Sequence, residues 1–134
     1  MNSTTIAVGP RIVIDLDNTL TIDEEGADYL SKAPNLTVIE KLREYKLLGY
    51  TISIHTSRNM RTYSGNVGLI NLHTLPVIIQ WLDKHNVPYD EIFVGKPWCG
   101  QNGFYVDDRA LRPDEFCRLT QEEVSLLLQL PAAQ

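Results

Sequence analysis

Four short stretches of this chain carry side chains that could together handle a phosphate group and a divalent cation. The first is Asp15-Leu16-Asp17-Asn18-Thr19, two carboxylates two positions apart with a hydroxyl close behind. The second is Thr56-Ser57-Arg58, and the third is Lys96, an ammonium between Gly95 and Pro97. The fourth is the adjacent pair Asp107-Asp108. A phosphate monoester is anionic and repels anionic nucleophiles, and its uncatalysed hydrolysis is among the slowest of biological reactions. A catalyst must neutralise the phosphoryl oxygens, hold a nucleophile in line and protonate the leaving oxygen. A carboxylate nucleophile divides the reaction into two easier steps. Mg²⁺ suits such a set because it takes hard oxygen ligands and bridges carboxylates to phosphate. Singly, each stretch has an ordinary reading, as a turn, a cap or a solvated charge. What singles them out is their order and their placement.

That placement follows from the elements around them. Residues 11–15 form an uninterrupted apolar run into Asp15, the pattern of a parallel strand covered on both faces. Residues 20–34 are polar and acidic and read as a loop or small hairpin. Asn35 caps a helix whose Val38, Ile39, Leu42, Tyr45 and Leu48 share a face, with Gly49 as its stop. Residues 50–55 are a second strand, running into Thr56. Residues 59–73, with Gly65 and Gly68, read as a long functional loop. A helix over residues 74–86 has Pro76 in its first turn and Ile78, Ile79 and Leu82 as its apolar residues. Residues 91–94 are a third strand and residues 103–106 a shorter fourth one, running into Asp107. Thr120 and Glu123 form a capping box for a terminal helix carrying Val124, Leu127 and Leu128. Strands alternating with helices predict an α/β domain with a mostly parallel sheet. Ligands of such sheets bind beyond the carboxyl ends of the strands, where all four stretches fall.

Composition sets the class. The chain has 134 residues, 43% hydrophobic and 22% charged, so one globular domain is expected over residues 1–134. Its core spans about residues 11–113, with the terminal helix at about 120–130. Twelve Lys and Arg against 17 Asp and Glu leave a net charge of −5, which argues against a partner held by its phosphates or an anionic membrane. The apolar runs, such as Leu126-Leu127-Leu128, are far short of a membrane span. The N-terminus does not read as a signal peptide. Cys99 and Cys117 make neither a zinc site nor a disulfide framework, and reduced thiols in the cytoplasm are expected. His55, His73 and His85 are read as structural or surface residues.

Asp-x-Asp-x-Thr, a strand ending in Thr, then Lys, then Asp-Asp, resembles the four ordered motifs of the haloacid dehalogenase superfamily of phosphotransfer enzymes. The likeness covers about residues 11–113. Thr56-Ser57-Arg58-Asn59-Met60-Arg61, residues 73–86 and Val94-Gly95-Lys96-Pro97-Trp98-Cys99-Gly100 are similar to small bacterial phosphatases assigned to capsular polysaccharide biosynthesis. The resemblance implies a three-layer Rossmann-like α/β fold with helices on both faces and no cap domain. It also implies an Mg²⁺-dependent phosphomonoesterase using an aspartyl-phosphate. Asp15 would be nucleophile and metal ligand. Asp17 would be general acid and base, its carbonyl a second metal ligand. Asp107 would complete the protein ligands, with Asp108 direct or through water. Thr56 would hydrogen-bond the phosphoryl oxygens, and Lys96 would offset the negative charge and orient Asp15. Pro97 to Val106 leave no room for the helix many members carry between the Lys and the last Asp pair, so Lys96 is expected on a loop.

Asn18, Thr19 and Ser57 stand beside these groups. With Arg58, Asn59 and Trp98 they are the candidate substrate contacts; Arg61 could join them, and Trp98 could stack on a sugar. The expected substrate is a small phosphorylated metabolite, such as a sugar or polyol phosphate for capsule building, with no nucleic acid or membrane partner. Without a cap, a loop, a flap or a second subunit of a homo-oligomer would have to shield the site. A phosphatase of nucleic-acid ends is the first alternative; the acidic charge weighs against it. A non-catalytic phospho-receiver is the second, but a receiver carries its acidic pair after the first strand, not last. A non-catalytic relative is disfavoured because no motif residue is missing.

Overall fold

The computed structural model describes residues 9–131. Three parallel strands form the sheet: β1 (Arg11–Asp15), β4 (Thr51–Thr56) and β5 (Glu91–Val94), in the order β1-β4-β5. In β4, Ile52, Ser53 and Ile54 are all fully buried. Successive side chains point to opposite faces, so helices and loops cover this central strand on both sides. Asp15 stands in register with His55, and Thr56 with Val94, which brings the carboxyl ends of all three strands to one edge. The α/β class and the parallel sheet are as the sequence predicts, with no inserted cap domain.

Between β1 and the first helix, β2 (Thr21–Ile22) and β3 (Ala33–Pro34) pair antiparallel as a small hairpin flap. Helix α1 (Leu36–Leu47) starts where Asn35 accepts a hydrogen bond from the Val38 amide. Its Val38, Ile39, Leu42 and Tyr45 are buried, whereas Leu48, at the C-cap, lies beyond the helical periodicity and is 59% exposed. Residues 67–73, expected in a loop, are helix α2 (Val67–His73). Asn66 caps it through the Leu69 amide, and that start outweighs the poor helix propensity of Gly68. Helix α3 (Leu75–Lys84) follows, with Pro76 in its first turn. It buries Ile78, Trp81 and Leu82, while Ile79 turns partly to solvent. Near the C-terminus, α4 (Pro113–Arg118) packs on α1, its Phe116 stacked on Tyr45 at 5.5 Å. Helix α5 (Gln121–Leu127) carries the expected Thr120–Glu123 capping box, but buries none of its own residues.

One expected strand is missing. Residues 103–106 form no strand, and every residue from 101 to 110 is exposed. Among the described residues β1 is therefore an edge strand, with Val13 58% exposed.

Asp90 lengthens the β4–β5 ladder. One carboxylate oxygen accepts the Ile52 amide proton at 2.7 Å, and the other meets the Lys46 ammonium at 2.6 Å. The amide and then the ammonium hold this carboxyl below its usual range. The resulting stabilisation is present above the ordinary value near 3.8 and fades as the pH falls through the lower folded value. Asp90→Ala should cost about 1 kcal/mol at neutral pH, the worth of one such partly exposed group. The gap in melting temperature between the two proteins should be steady from pH 7 to about pH 5 and narrow as the pH falls below the ordinary value near 3.8; a gap that stays constant down through that range would rule out the charge as its source.

Candidate active site at the ends of the parallel strands

After β1 the chain winds around one atom. The Leu16 carbonyl accepts hydrogen bonds from the amides of Thr19, Leu20 and Thr21, at 3.3, 2.9 and 3.1 Å. Leu16 is wholly buried, so the alternation of the strand turns Asp15 and Asp17 the other way, to the sheet edge. The tight loop needs a left-handed residue, supplied by Asn18 at φ 60°. It returns the Thr19 hydroxyl to Asp15, donating to the carboxylate at 3.3 Å. Asn18 serves the turn itself: its amide donates to the Thr21 hydroxyl at 2.9 Å.

β4 delivers Thr56, 1% exposed, whose hydroxyl oxygen accepts the Arg58 amide proton at 3.0 Å. That contact uses a lone pair and leaves the hydroxyl proton to donate elsewhere. Lys96 lies in the loop after β5, as its short spacing from Asp107 predicts. Its amide donates to the Thr56 carbonyl at 3.1 Å, and its ammonium lies 3.6 Å from the Asp15 carboxylate. Gly95 makes this approach possible. Its φ is 88°, and a Cβ there would come within 3.1 Å of Val67.

Asp17 is clamped. Arg58 grips it with two parallel bonds, Nε to one oxygen at 3.1 Å and Nη2 to the other at 2.7 Å. Lys32 adds a third contact at 2.9 Å and also holds Asp23. The guanidinium is buried, over the ring of Tyr29 at 4.1 Å. Two neighbouring carboxyls are thus pushed in opposite directions. Burial raises Asp15 above its usual range, with Lys96 pulling against it. Burial would raise Asp17 too, but Arg58 and Lys32 outweigh it and hold Asp17 below its usual range.

The strand ends thus bring Asp15, Asp17, Thr19, Thr56, Arg58 and Lys96 together. Asp107 and Asp108 do not join them. Both are exposed, and Asp107 accepts a hydrogen bond from the Arg109 amide at 2.8 Å. Among the described residues, no three His, Cys, Asp or Glu side chains gather closely enough to hold a metal ion. Beside the strand ends lies an open hollow of about 550 Å³, lined by Tyr29, Ser57, Asn59, Arg61, Thr62 and Trp98. Of the candidate substrate contacts, Ser57, Asn59 and Trp98 line this hollow. Asn59 is also a strut, accepting from the Thr74 hydroxyl at 2.7 Å and donating toward Tyr29 at 3.3 Å. Arg58 is not a wall of the hollow; it turns inward to Asp17. Sequence reasoning missed Lys32 and Tyr29. Lys32 is the single cation among the acidic residues 20–34, a signal that marks it for a carboxylate partner. The histidines pack on aromatic neighbours: His55 on Phe93, His73 on Tyr63 and His85 on Trp81.

The molecule is an α/β domain with carboxylates, a hydroxyl and an ammonium converging at one edge of a parallel sheet. No family model and no curated protein matches the chain. A crystal structure of an MCSG structural-genomics target from Vibrio cholerae does, with a TM-score of 0.86 and 58% identity over 90% of this chain and 98% of that one. The chain belongs to the same family as that Vibrio cholerae protein. A chain in the Pnkp1/Rnl/Hen1 complex aligns with a TM-score of 0.49 and 22% identity, over 74% of this chain and 31% of that one. No helix among the described residues is long and apolar enough to cross a membrane.

Proposed function

We propose that this chain is a capless phosphatase of the haloacid dehalogenase type. It would hydrolyse a small phosphorylated metabolite through an aspartyl-phosphate on Asp15, in a cytoplasm where Cys99 and Cys117 stay reduced. The observation that carries this reading is the approach of Lys96 and Thr19 to the Asp15 carboxylate, at 3.6 and 3.3 Å, at the end of β1. An Asp15 oxygen bonds to phosphorus as the ester P–O bond breaks. Thr56 donates to a phosphoryl oxygen, and Lys96 balances the charge gathered there. The leaving oxygen takes a proton from Asp17. Water then attacks the aspartyl-phosphate and gives its proton to Asp17, and inorganic phosphate departs with the Asp15 carboxylate restored. Arg58 and Lys32 favour the charged form of Asp17, so it takes up a proton more readily once one of these contacts is loosened. Lys32, next to strand β3 of the flap, is the contact that substrate entry can loosen.

The donors fit Mg²⁺ in kind, all being hard oxygens. They are the Asp15 carboxylate and the Asp17 carbonyl, to which no backbone amide among the described residues donates. Asp107 and Asp108 would complete the set. Bound Mg²⁺ would offset the phosphoryl charge. The substrate class favoured by the resemblance is a sugar or polyol phosphate of capsular polysaccharide biosynthesis, with Trp98 in the hollow to stack on its ring and Asn59 beside it.

The test is turnover of p-nitrophenyl phosphate with and without Mg²⁺, followed by a panel of sugar, polyol and nucleotide phosphates and a 3′-phosphorylated oligonucleotide. Mg²⁺-dependent release of phosphate from the small esters is expected. No turnover across the panel would refute the reading, and preference for the oligonucleotide would redirect it to nucleic-acid ends.

A further inference from the structure

We infer that two copies of this chain exchange residues 103–107. Each copy's segment adds as a parallel strand to the free edge of the other's β1, setting Asp107 and Asp108 of the partner subunit beside Asp15 and Asp17. The inference rests on the phosphatase reading for its consequence, but not for its geometry.

Three observations carry it. First, β1 lacks a neighbour. It pairs only with β4, and among the described residues nothing pairs with its other edge. Val13 is left 58% exposed in a run of Ile12-Val13-Ile14. Edge strands that stay free are guarded by charge, proline or a bulge along their length; this one has Pro10 and Arg11 at its start and Asp15 at its end, and nothing of the kind between them. Second, the chain carries an unused strand. Gly103-Phe104-Tyr105-Val106-Asp107 is rich in strand-forming residues, with Phe104 78% and Val106 88% exposed. It matches Arg11-Ile12-Val13-Ile14-Asp15 in length and, like it, ends on Asp. A parallel pairing over that length sets Asp107 level with Asp15.

Third, the segment is poorly placed to serve its own β1. Parallel strands need a crossover of about a dozen residues or more. The connection from β5 is residues 95–102, and it would have to pass both β4 and β1. Lys96 is tied at the top of the sheet by its bond to the Thr56 carbonyl, and Phe116 is fixed against Tyr45. Between these anchors the chain forms an exposed arch. Antiparallel pairing on its own β1 would send Asp107 to the wrong end of the sheet. A second copy offers the same free edge without the crossover, and twofold symmetry satisfies both arches at once. The exchange would also cover the apolar surface of Phe104, Val106 and Val13, and explain how the last carboxylate pair reaches the strand ends.

Sedimentation or light scattering of the wild-type protein should give a dimer. Val106→Pro removes a ladder donor, and Val13→Lys charges the receiving edge; each should give a folded monomer by circular dichroism. Two chains inactive alone, Asp15→Asn and the double variant Asp107→Asn with Asp108→Asn, should recover roughly a quarter of wild-type turnover when refolded together. Random pairing makes half of the dimers mixed, and each mixed dimer has one intact site. A wild-type monomer, or a dimer untouched by both Val106→Pro and Val13→Lys, would overturn the exchange, as would active wild type without complementation. If the wild type turns over nothing, the phosphatase reading fails while mass and variants still decide the exchange.

Discussion

Asp15→Asn should lower turnover of p-nitrophenyl phosphate by on the order of 10⁴-fold or more, while the protein melts no lower than wild type. An amide has the size and shape of the carboxylate but lacks the nucleophilic oxygen, so no aspartyl-phosphate can form. Folding has nothing to lose from the change. Burial already disfavours the Asp15 charge and Asp17 lies two residues away; Lys96 at 3.6 Å, the Leu16 amide and the Thr19 hydroxyl offset this only in part. Removing a charge held against such opposition leaves stability equal or higher. Activity and melting temperature should therefore move in different directions, the signature of a group kept for chemistry rather than packing. The checks are steady-state kinetics, a melting curve, and mass spectrometry for a phosphorylated intermediate in wild type alone. Equal activity in the two proteins would remove Asp15 from the reaction.

Most of what positions this site is written locally. The strand over residues 11–15 is legible from its apolar run and its acidic end, but the coverage of both faces that the run implies is not met: Ile14 is buried while Val13, on the other face, is exposed because β1 lies at the edge of the described sheet. Asn35 and the Thr120–Glu123 pair mark helix starts because capping involves residues only three apart. The failures share the opposite property. Residues 103–106 have the composition of a strand, but a strand exists only against a partner, and no local pattern names the partner. Residues 67–73 look like part of a loop by Gly68 and the nearby Gly65, yet Asn66 starts a helix that then packs on α3. The inward turn of Arg58 depends on where Asp17 and Tyr29 sit in space, forty-odd and about thirty positions away in the chain. The position of Lys32 depends on Trp81, whose indole donates to the Lys32 carbonyl at 2.9 Å. Long-range geometry of this kind changes the reading of a residue without changing its chemistry. Arg58 remains an anion binder, but the anion it holds here is Asp17.

Arg58→Met should separate those two uses of the guanidinium. Methionine retains much of the apolar stem, so the packing loss is small, and the bidentate grip on Asp17 is lost. Breaking a buried pair by removing one partner costs ~3–5 kcal/mol. Here Asp17 keeps Lys32 and remains 27% exposed, which places the expected cost nearer ~2–3 kcal/mol. At this chain length that is a fall of roughly 8–10 °C in melting temperature. Arg58→Lys should recover only part of it, since an ammonium cannot reproduce the two parallel bonds. If the clamp's task is to position Asp17, kcat should drop by ~10²-fold while KM changes less than about tenfold, because the proton carrier is displaced and the phosphate contacts at Thr56 are not. A KM rise of a hundredfold with kcat preserved would instead assign Arg58 to the substrate. With the Arg58 bonds gone Asp17 keeps only Lys32 to hold its charge, so the limb of the pH–rate profile that reports its ionisation should shift in Arg58→Met and stay in place in Ser57→Ala, which alters the hollow without touching the clamp.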